Sequence, residues 1–586
     1  MLGLTVLASA GYGCAEKEPA PAPERDRQNP EYTDVTVRLK VRNPAAAYLT
    51  SHAAASADTP GAKTRSIIDK GEGEYDLGFT AEEHMIHSLT LIMMDVRPDG
   101  SEVFDFAQTV PTSGTDDIIP ATFDLRGRKG IKRFYVGANM TQQHIGAFTE
   151  KGTMMDLGDA EDGHSIAGRL MTVDHTTGAG SNILMTGTVT GKNGQTDFDI
   201  TGLGDQFEMS MADDAVTISV ETPVSLTKAV SKVLMTCSVN SRDGKDLVNI
   251  TDVKDQETGT GTYTGWLHLE NVRYILNTLN LKTFTIYQEK TDAAGTVYLD
   301  DPNLNMGEMV EKRISTADGS VTYGPRNLEN YLANFVYYNT QSMVEMLTMQ
   351  KAEDGNGTET CMDCRSRTAT EYDEERLGVD SDNHYTEGLF CPENMVHKDI
   401  GFTAEDEFTA ANRLVSTHLV IGGKYVPKSI YILENEGQGD EKPVLYTSST
   451  EEESAGLLKS DLNEDLGVTY EDGTFWYEIN DHEYYTYKAM EWKTRNDTKA
   501  VFARHDGGWG YWYSMIDGEK NADDMISNMN QEYWGLKRNH YYIVNVKKII
   551  TPGASDPGNA AMRIHSELID WIDQGGEDID ITVPQN

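Results

Sequence analysis

Cys361 and Cys364 are separated by two residues, a spacing found in disulfides, zinc sites and redox pairs. A redox pair requires a strand-to-helix junction, whereas this motif follows a Gly-Asn-Gly-Thr stretch. A zinc site requires two further ligands, which Cys391 together with His384 or His397 could supply. Outside the cytoplasm a disulfide is the favoured chemistry, either within the pair or from one of the two to Cys391. We therefore expect a disulfide that staples a loop, and no metal or cofactor.

Patterns typical of enzymes are missing from the sequence. It contains no Gly-rich phosphate loop, no paired His and Glu of a metalloprotease, and no Gly-x-Ser-x-Gly elbow. The acidic run Glu451-Glu452-Glu453 lacks the spacing of an EF-hand loop and is predicted to be a solvated loop. We expect a protein that is not an enzyme and has no catalytic residue.

Cys14 ends a short apolar segment, residues 2–10 followed by Gly-Tyr-Gly, that is too short to span a bilayer. A small residue before a cysteine at this position is typical of a bacterial lipoprotein signal, so residues 1–14 are predicted to end at an acylated Cys14. An ordinary secretory signal with an incidental cysteine is the alternative. Residues 15–31 are rich in Ala, Glu, Pro and Arg and have no periodicity, which predicts a disordered tether.

Arg65 is the predicted site of proteolytic processing, between itself and Ser66. It follows an Ala-, Ser- and Pro-rich stretch and lies outside any periodic segment, where proteases gain access. Arg42 competes with it, but that residue lies next to Asn43-Pro44 at the end of a strand-like segment. The alternative is that Arg65 is an ordinary surface arginine.

The strand-like segment before Arg65 has apolar residues at every second position. Val35, Val37, Leu39 and Val41 alternate with polar residues, so their side chains should share one face of a strand. Residues 32–65 therefore consist of one amphipathic strand and a flexible connection.

A second alternating segment lies at the C-terminus. Ile579, Ile581 and Val583 share one face there, whereas residues 567–573 could form either a strand or a helical turn that ends at two glycines. Residues 561–586 are thus predicted to be a terminal strand segment, with completion of its own domain as the alternative.

Length, charge and composition limit the classes that fit the chain. At 586 residues it is too long for one core and should contain two or three domains. With 38% hydrophobic residues and a mean hydropathy of −0.50 it is neither membrane-embedded nor disordered. A formal charge of −44 argues against binding to nucleic acid or to an anionic membrane surface.

Strand patterns recur along the chain and predict an all-β fold with minor helices. Asp-Gly and Asn-Gly turns separate alternating segments such as residues 85–93, 131–136, 215–220, 266–274 and 541–546. The residues around 142–148 and 328–347 have a more helical composition. Two β-sandwich domains in series, residues 66–245 and 246–560, are the economical interpretation, with the irregular stretch 307–399 as insertions.

Aromatic residues are dense near residues 476–492 and 509–513. They could form an exposed platform for stacking on sugars, but aromatics at this density within strands are typical of sandwich cores. We predict that they form core. Cys237, in a strand-like run, is predicted to be a buried thiol.

Several segments, taken together, resemble the fimbrillins of the Bacteroidales, the subunits of type V pili. They are most similar to the short-fimbria major-subunit branch, which has its own C-terminal domain. No single segment is specific; their order and spacing behind a lipoprotein-like signal carry the resemblance. The segments are 86–93 (IHSLTLIM), 134–139 (FYVGAN), 226–233 (LTKAVSKV), 271–277 (NVRYILN), 390–394 (FCPEN), 421–427 (IGGKYVP) and 538–544 (RNHYYIV).

The resemblance implies a fold of two transthyretin-like, Greek-key sandwiches and a role in a pilus shaft that supports cell adhesion. It implies a precursor that is an outer-membrane lipoprotein exported through the periplasm and cut by an Arg-specific protease. Removal of residues 32–65 would then open a groove in the first domain, which residues 561–586 of another copy would fill. The implied partners are further copies, accessory anchor and tip pilins, the protease and host or bacterial surface ligands.

Two other roles stay open. An anchor or tip pilin would share the fold but only part of the assembly. A monomeric surface lipoprotein or adhesin that binds glycans would keep Arg65 uncut, expose the aromatic cluster and pack its tail on its own domain.

Overall fold

The structure is a computed structural model with side chains. It describes residues 31–43, 68–69, 75–76, 85–112, 117–151, 154–157, 170–173, 181–191, 193–201, 209–212, 215–237, 247–251, 263–287, 289–291, 297–299, 310–314, 321–325, 334–348, 367–368, 370–371, 389–397, 416–460, 475–479, 483–516, 533–539, 541–546, 552–557 and 566–569.

Strands dominate this part of the chain. The strands of the first 228 residues are β1 (Tyr32–Arg42), β2 (Ile68–Asp69), β3 (Tyr75–Asp76), β4 (Ser88–Val96), β5 (Glu102–Pro111), β6 (Ile118–Arg128), β7 (Ile131–Ala138), β8 (Met154–Asp156), β9 (Met171–Val173), β10 (Ser181–Ile183), β11 (Met185–Thr188), β12 (Asp197–Asp199), β13 (Met209–Ala212), β14 (Ala215–Ser219) and β15 (Thr227–Lys228).

The strands that follow are β16 (Val230–Cys237), β17 (Leu247–Thr251), β18 (Tyr263–Asn277), β19 (Leu279–Asn280), β20 (Lys282–Phe284), β21 (Glu289–Thr291), β22 (Val297–Leu299), β23 (Val310–Ile314), β24 (Val321–Pro325), β25 (Phe335–Val336), β26 (Arg367–Thr368), β27 (Thr370–Glu371), β28 (Leu389–Pro392), β29 (Asn394–His397), β30 (His418–Pro427), β31 (Ser429–Glu434), β32 (Lys442–Thr447), β33 (Trp476–Ile479), β34 (Glu483–Tyr485), β35 (Ala503–His505), β36 (Trp509–Met515), β37 (Tyr533–Leu536), β38 (Tyr541–Val546) and β39 (Ser566–Ile569). The described helices are α1 (Gln142–Lys151), α2 (Thr340–Thr348), α3 (Glu451–Ser460) and α4 (Tyr487–Asn496).

The first half of the chain forms a β-sandwich. One sheet has the order β13-β14-β1-β6, and the other has the order β15-β11-β7-β4-β5, with β12 also on β7. Alternate side chains of the two sheets meet in one apolar cluster, in which Leu89, Leu91 and Met93 of β4 face the β1 sheet. This alternation buries one face of every contributing strand.

The second half adds two larger sheets. One has the order β17-β18-β30-β36, with β26 on β18, and the other has the order β27-β16-β38-β39, with β28 on β16. Helix α2 lies on the first of these sheets, where Met343 and Leu347 pack with Val420 and Tyr511. The all-β sandwich fold predicted from the sequence is confirmed.

A small sheet is inserted between β30 and β36, which are themselves neighbours in one sheet. It has the order β32-β31-β34-β33-β35, and its aromatic side chains include the stacked pair Tyr431 and Tyr485. Because β30 and β36 pair directly, the chain leaves the larger sheet and returns to it at the same place.

The two halves share a core. Strand β4 also turns Ile92 and Met94 to its opposite face, where they join a cluster with Leu267 and Trp512 of the second half. Strand β8 of the first half pairs with β20 of the second. The described parts of the two sandwiches are therefore packed on each other.

Strand pairing bears on the predicted domain boundary. The sequence predicts a first domain of residues 66–245, and β16 within that range pairs with β28 and β38 of the second half. Its predecessor β15 still pairs with β11 of the first half. The change of sheet occurs near Ala229, whereas the predicted turn at residues 243–245 lies outside the described residues.

Candidate functional site

Strand β1 occupies the middle of its sheet, between two strands that come much later in the chain. It pairs antiparallel with β6 over its whole length, from Tyr32 opposite Arg128 to Arg42 opposite Ile118. On its other edge it pairs parallel with β14, from Asp34 opposite Ala215 to Arg38 opposite Ser219. Both hydrogen-bonding edges of β1 are therefore occupied.

The apolar face of β1 lies in the centre of the first sandwich. Val35, Val37, Leu39 and Val41 are each no more than 3% exposed. They pack in the cluster that contains Phe123 and Leu125 of β6 and Val216 and Ile218 of β14. The strand that the sequence predicts to be removable thus supplies a row of core side chains along the whole sheet.

Beyond the strand pairing, backbone hydrogen bonds hold the far end of β1. The Arg42 amide donates to the Val224 carbonyl at 2.9 Å, and the Val224 amide donates to the Lys40 carbonyl at 2.8 Å. The Asn43 amide donates to the Asp117 carbonyl at 2.8 Å. These contacts set the register of β1 as far as the last residue described in this segment.

The outer face of β1 carries polar contacts that water can reach. Arg126 Nη1 lies 2.9 Å from Asp34 Oδ1, and Lys40 Nζ lies 2.5 Å from Glu221 Oε2. Thr36 Oγ1 donates to Asp124 Oδ1 at 2.7 Å. Exposed ion pairs of this kind contribute little to stability. The buried face of β1 therefore contributes most of the free energy that keeps the strand in its sheet, and the exposed face contributes little.

The C-terminal segment differs from β1. Among the strands that the structure describes, β39 lies at the edge of its sheet and pairs only with β38, antiparallel, from Ser566 opposite Val546 to Ile569 opposite Ile543. Part of the predicted terminal segment 561–586 is thus a strand of the chain's own second half. The donor residues proposed from the sequence, Ile579, Ile581 and Val583, lie outside the described residues.

Most predicted modification sites also lie outside the part of the chain that the structure describes. These are Cys14, Arg65, Ser66, Cys361 and Cys364. Cys391 lies in β28, fully buried, with its Sγ 3.4 Å from Ser231 Oγ. Its predicted disulfide stays a prediction.

The aromatic residues near 509–513 are core, as predicted. Trp509, Tyr511, Trp512 and Tyr513 are at most 7% exposed, and Trp476 is fully buried. Trp476 stacks on His505 with ring centroids 3.6 Å apart. These faces are unavailable to a sugar in this structure.

A buried ion cluster that the sequence analysis missed lies at one end of the first sandwich. The fully buried Lys132 Nζ lies 2.6 Å from Asp105 Oδ2 and also contacts Asp95 Oδ1. The three residues come from β7, β5 and β4, and no local spacing connects them. The signal available in the sequence is a lysine two residues before Phe134, on the face of β7 that carries the apolar side chains Phe134 and Val136.

A second polar cluster lies on the opposite face of β7. Arg133 contacts Glu102, and its Nη2 lies 2.6 Å from Asp197 Oδ1, while the Tyr135 hydroxyl donates to Glu102 Oε2 at 2.8 Å. Burial would lower the pKa of Arg133, but the carboxylates of Asp197 and Glu102 outweigh it and raise that pKa. Burial and Glu102 together raise the pKa of Tyr135. Both groups therefore keep their protons across the physiological range.

Within the described residues, no group of three or more His, Cys, Asp and Glu side chains is placed to hold a metal ion. None of the helices described is long and apolar enough to cross a membrane.

Comparisons with known proteins give structural neighbours only. No protein-family model matches the chain, and no curated protein matches it. Among solved structures it is similar to a fimbrilin from Porphyromonas gingivalis W83, with 11% identity over 92% of this chain and 98% of that one, and a TM-score of 0.33. It is also similar to the tip fimbrial protein Mfa3 from Porphyromonas gingivalis, with 11% identity over 92% and 100% and a TM-score of 0.26.

A third neighbour is the fimbrial anchor protein Mfa2 from Porphyromonas gingivalis, with 12% identity over 56% of this chain and 93% of that one, and a TM-score of 0.19. These neighbours are fimbrial proteins, the class that the sequence resemblance indicated.

Proposed function

We propose that this protein is a structural subunit of a surface fimbria, and that it polymerises by exchanging β1 for a strand of a neighbouring copy. The observation that carries the proposal is the position of β1, an interior strand formed by the first described residues of the chain. Its loss would remove the sheet partner of β6 and one of the two partners of β14, and would uncover the apolar cluster between the sheets. A segment with alternating apolar residues would restore the strand pairing and cover the apolar cluster again.

The energetics favour replacement over an empty groove. Each of the four aliphatic side chains of β1 contributes about 1.5–3 kcal/mol by burial, on the order of 10 kcal/mol together before ordering costs. Main-chain hydrogen bonds to two neighbours add affinity with little dependence on sequence, while the alternate side chains select the strand. A filled groove should therefore release its strand very slowly.

Cleavage after Arg65 is the step that would free β1 from the rest of the chain. The residues that follow β1, up to Ser66, offer a connection rich in small residues. In the proposal an Arg-specific protease cuts there, and residues 561–586 of another copy, with Ile579, Ile581 and Val583 inward, take the place of β1. The lipid on Cys14 would leave with the removed segment.

The test is limited digestion of the purified chain with an Arg-specific protease, followed by an unheated denaturing gel and N-terminal sequencing. We expect a start at Ser66 and a heat-sensitive ladder. Arg65→Ala should block both, whereas the matched variant Arg42→Ala should form the ladder. A cut protein that stays monomeric, or a ladder formed equally by Arg65→Ala, would exclude the mechanism.

A peptide competition tests the groove itself. A synthetic peptide with the sequence of Tyr32–Arg42 should cap the cut subunit and shorten the ladder, because it restores β1. The same peptide carrying Val37→Asp should have no effect, because it would bury an unpaired charge. Equal inhibition by both peptides would show that the groove does not select its strand.

The chain ends distinguish a shaft subunit from an anchor or tip. A shaft subunit both accepts and donates, so a chain lacking residues 561–586 should terminate filaments of the intact cut protein. An anchor or a tip has only one of these two roles, so the same truncation should leave the filament length unchanged. The buried aromatic cluster argues against the other candidate, a monomer that binds glycans through those rings.

A further inference from the structure

The Lys132 cluster places an amine against a carboxyl group inside a protein core. Lys132 has no exposed side-chain surface, Asp105 has 5% and Asp95 has 27%. Lys132 lies two residues before Phe134, on the same face of β7, and opposite Phe198 in the strand pairing. An amine and two carboxylates thus share one side of a cluster whose other neighbours are apolar.

The backbone around Asp105 fixes one of its oxygens. Asp105 Oδ2 accepts the Arg128 amide at 3.0 Å as well as Lys132 Nζ at 2.6 Å. Gly127 of β6 lies directly above, where a Cβ would be 2.5 Å from Met93 Cε and 3.0 Å from Asp105 Oδ2. A glycine at this position lets β6 pack closely over Asp105 and Met93.

At this buried position an ion pair is not the only stable state of Lys132 and Asp105. Burying an ammonium and carboxylates costs solvation energy that their mutual attraction returns only in part. Transfer of one proton from Lys132 to Asp105 turns this pair into a neutral amine and a carboxylic acid. An amine held within contact distance of an acid reacts as an intramolecular group, at a high effective concentration.

We propose that Lys132 and Asp105 form an intramolecular isopeptide bond, with Asp95 carrying the protons. The neutral Lys132 Nζ attacks Asp105 Cγ and forms the new C–N bond. The nitrogen gives up a proton to Asp95, and Asp95 returns a proton to Asp105 Oδ1, whose bond to Cγ breaks. One water leaves, and the products are an amide and an Asp95 carboxylate, so no oxidant or co-reactant is needed.

Each residue has a position suited to its part. Asp105 Oδ2 stays as the amide oxygen and keeps the hydrogen bond from the Arg128 amide, which stabilises the charge that develops on it. Asp95 is the more exposed carboxylate, so the water has a route out on its side. The ion pair between Lys40 and Glu221 has a similar contact distance but lies in solvent, with side-chain exposures of 44% and 65%, and there no bond is expected.

The bond would close a loop that contains β6, and β6 forms one side of the groove that β1 fills. Residues 105–132 contain all of β6, the antiparallel partner of β1. A cross-link between β5 and β7 would restrict that loop in any state in which β1 is absent. The chemistry itself does not depend on the proposed function, since the cluster forms with β1 in place.

Mass spectrometry of the reduced, denatured full chain tests the bond. The expected mass is below the sequence mass by one water. Tryptic digestion should give residues 130–133, uncut after Lys132, joined to residues 71–126. A full-length mass together with free peptides ending at Lys132 would overturn the proposal, and the cluster would then be a buried ion cluster only.

Variants assign the roles of the three residues. Lys132→Arg keeps the charge and should have the full sequence mass. Asp105→Asn should lose ammonia instead of water if it reacts, because the leaving group is then an amide nitrogen. Asp95→Asn should slow or abolish the mass loss while the fold persists. Loss of ammonia from Asp95→Asn, with loss of water from Asp105→Asn, would overturn the assignment of Asp105 as the acyl group.

The exposed pair provides the matched control. Lys40→Arg should leave the mass deficit unchanged and the cross-linked peptide intact. Circular dichroism of every variant separates loss of the bond from loss of the fold. A folded Lys132→Arg variant that still carries the mass deficit would show that the deficit arises elsewhere, and would exclude the proposed bond.

Discussion

The two terminal strands of the described chain are built in opposite ways. Strand β1 is 11 residues long, lies between two neighbours and buries every second side chain. Strand β39 is 4 residues long and pairs with one neighbour at the edge of its sheet. The N-terminal strand therefore completes a core, whereas the C-terminal strand extends a sheet that already exists.

This difference indicates how much pairing and burial the protein would lose if either strand left its sheet. An interior strand leaves two unpaired edges and an apolar groove, so its site demands a replacement. An edge strand leaves one edge and can leave or return with little change elsewhere. Strand exchange requires an acceptor site of the kind that an interior strand leaves and a donor strand of the kind that lies at a sheet edge.

Val37→Asp should give the largest effect, because it places an unpaired charge in the core of the first sandwich. We expect a loss of about 3–5 kcal/mol for the buried charge, in addition to about 1.5–3 kcal/mol for the lost apolar burial. The measurement is thermal unfolding of the uncut chain followed by far-UV circular dichroism. Arg38→Asp, on the exposed face of the same strand, is the control and should change little.

Tryptophan fluorescence sharpens this test. All 7 tryptophans lie between residues 266 and 571, so fluorescence reports on the second half alone. If Val37→Asp shifts the fluorescence transition as far as the dichroism transition, the shared core unfolds as one unit with the first sandwich. A strand that contributed nothing to the fold would leave both transitions in place.

Leu39→Ala should give the next largest effect, because it leaves a cavity between the sheets. We expect a loss of about 2–5 kcal/mol. Chemical denaturation of the uncut chain measures it. A loss well below this range would mean that the groove collapses around a smaller side chain, and would weaken the case that it selects its strand.

Removal of β39 should have a smaller effect, on the order of 1–2 kcal/mol, since a few edge hydrogen bonds are lost. The comparison is between chains that end at residue 565 and at residue 569, because both lack the same tail and differ only in β39. Their melting temperatures should differ by less than Leu39→Ala shifts that of the full chain. A larger difference would remove the contrast between the two ends.

Asp34→Asn should have the smallest effect, about 0–1 kcal/mol, because the Asp34 side chain is 67% exposed in its pair with Arg126. The loss should shrink further in high salt, where screening weakens the pair in the parent protein. Denaturation at low and high ionic strength measures both values. An effect as large as that of Leu39→Ala would place part of the strand's affinity on its outer face.

Local patterns in the sequence predicted the strands with a clear periodicity. The alternation of Val35 to Val41 matches β1, and residues 131–136 lie in β7. Residues 142–148 lie within helix α1. In residues 85–93 the strand begins only at Ser88. Leu89, Leu91 and Met93 are buried in one core and Ile92 in the other, so both faces are apolar and the alternation is obscured.

Local sequence patterns do not predict which distant strands pair with each other. The neighbours of β1 are more than 70 residues away, and nothing in residues 118–128 or 215–219 identifies them as partners. The Lys132 cluster depends on the same distant pairing and was missed. The predicted boundary at residues 243–245 rests on a local turn signal, and such a signal carries no information about the pairing of β16 with β38.

The parallel pairing of β1 with β14 sets the order in which the first sandwich is completed. Strand β1 acquires its parallel neighbour only when residue 219 has been synthesised. Until then Val37 and Leu39 lack part of their core, and contacts this far apart in sequence form slowly. The nascent chain therefore spends a long interval without a closed sandwich, with the apolar face of β1 uncovered.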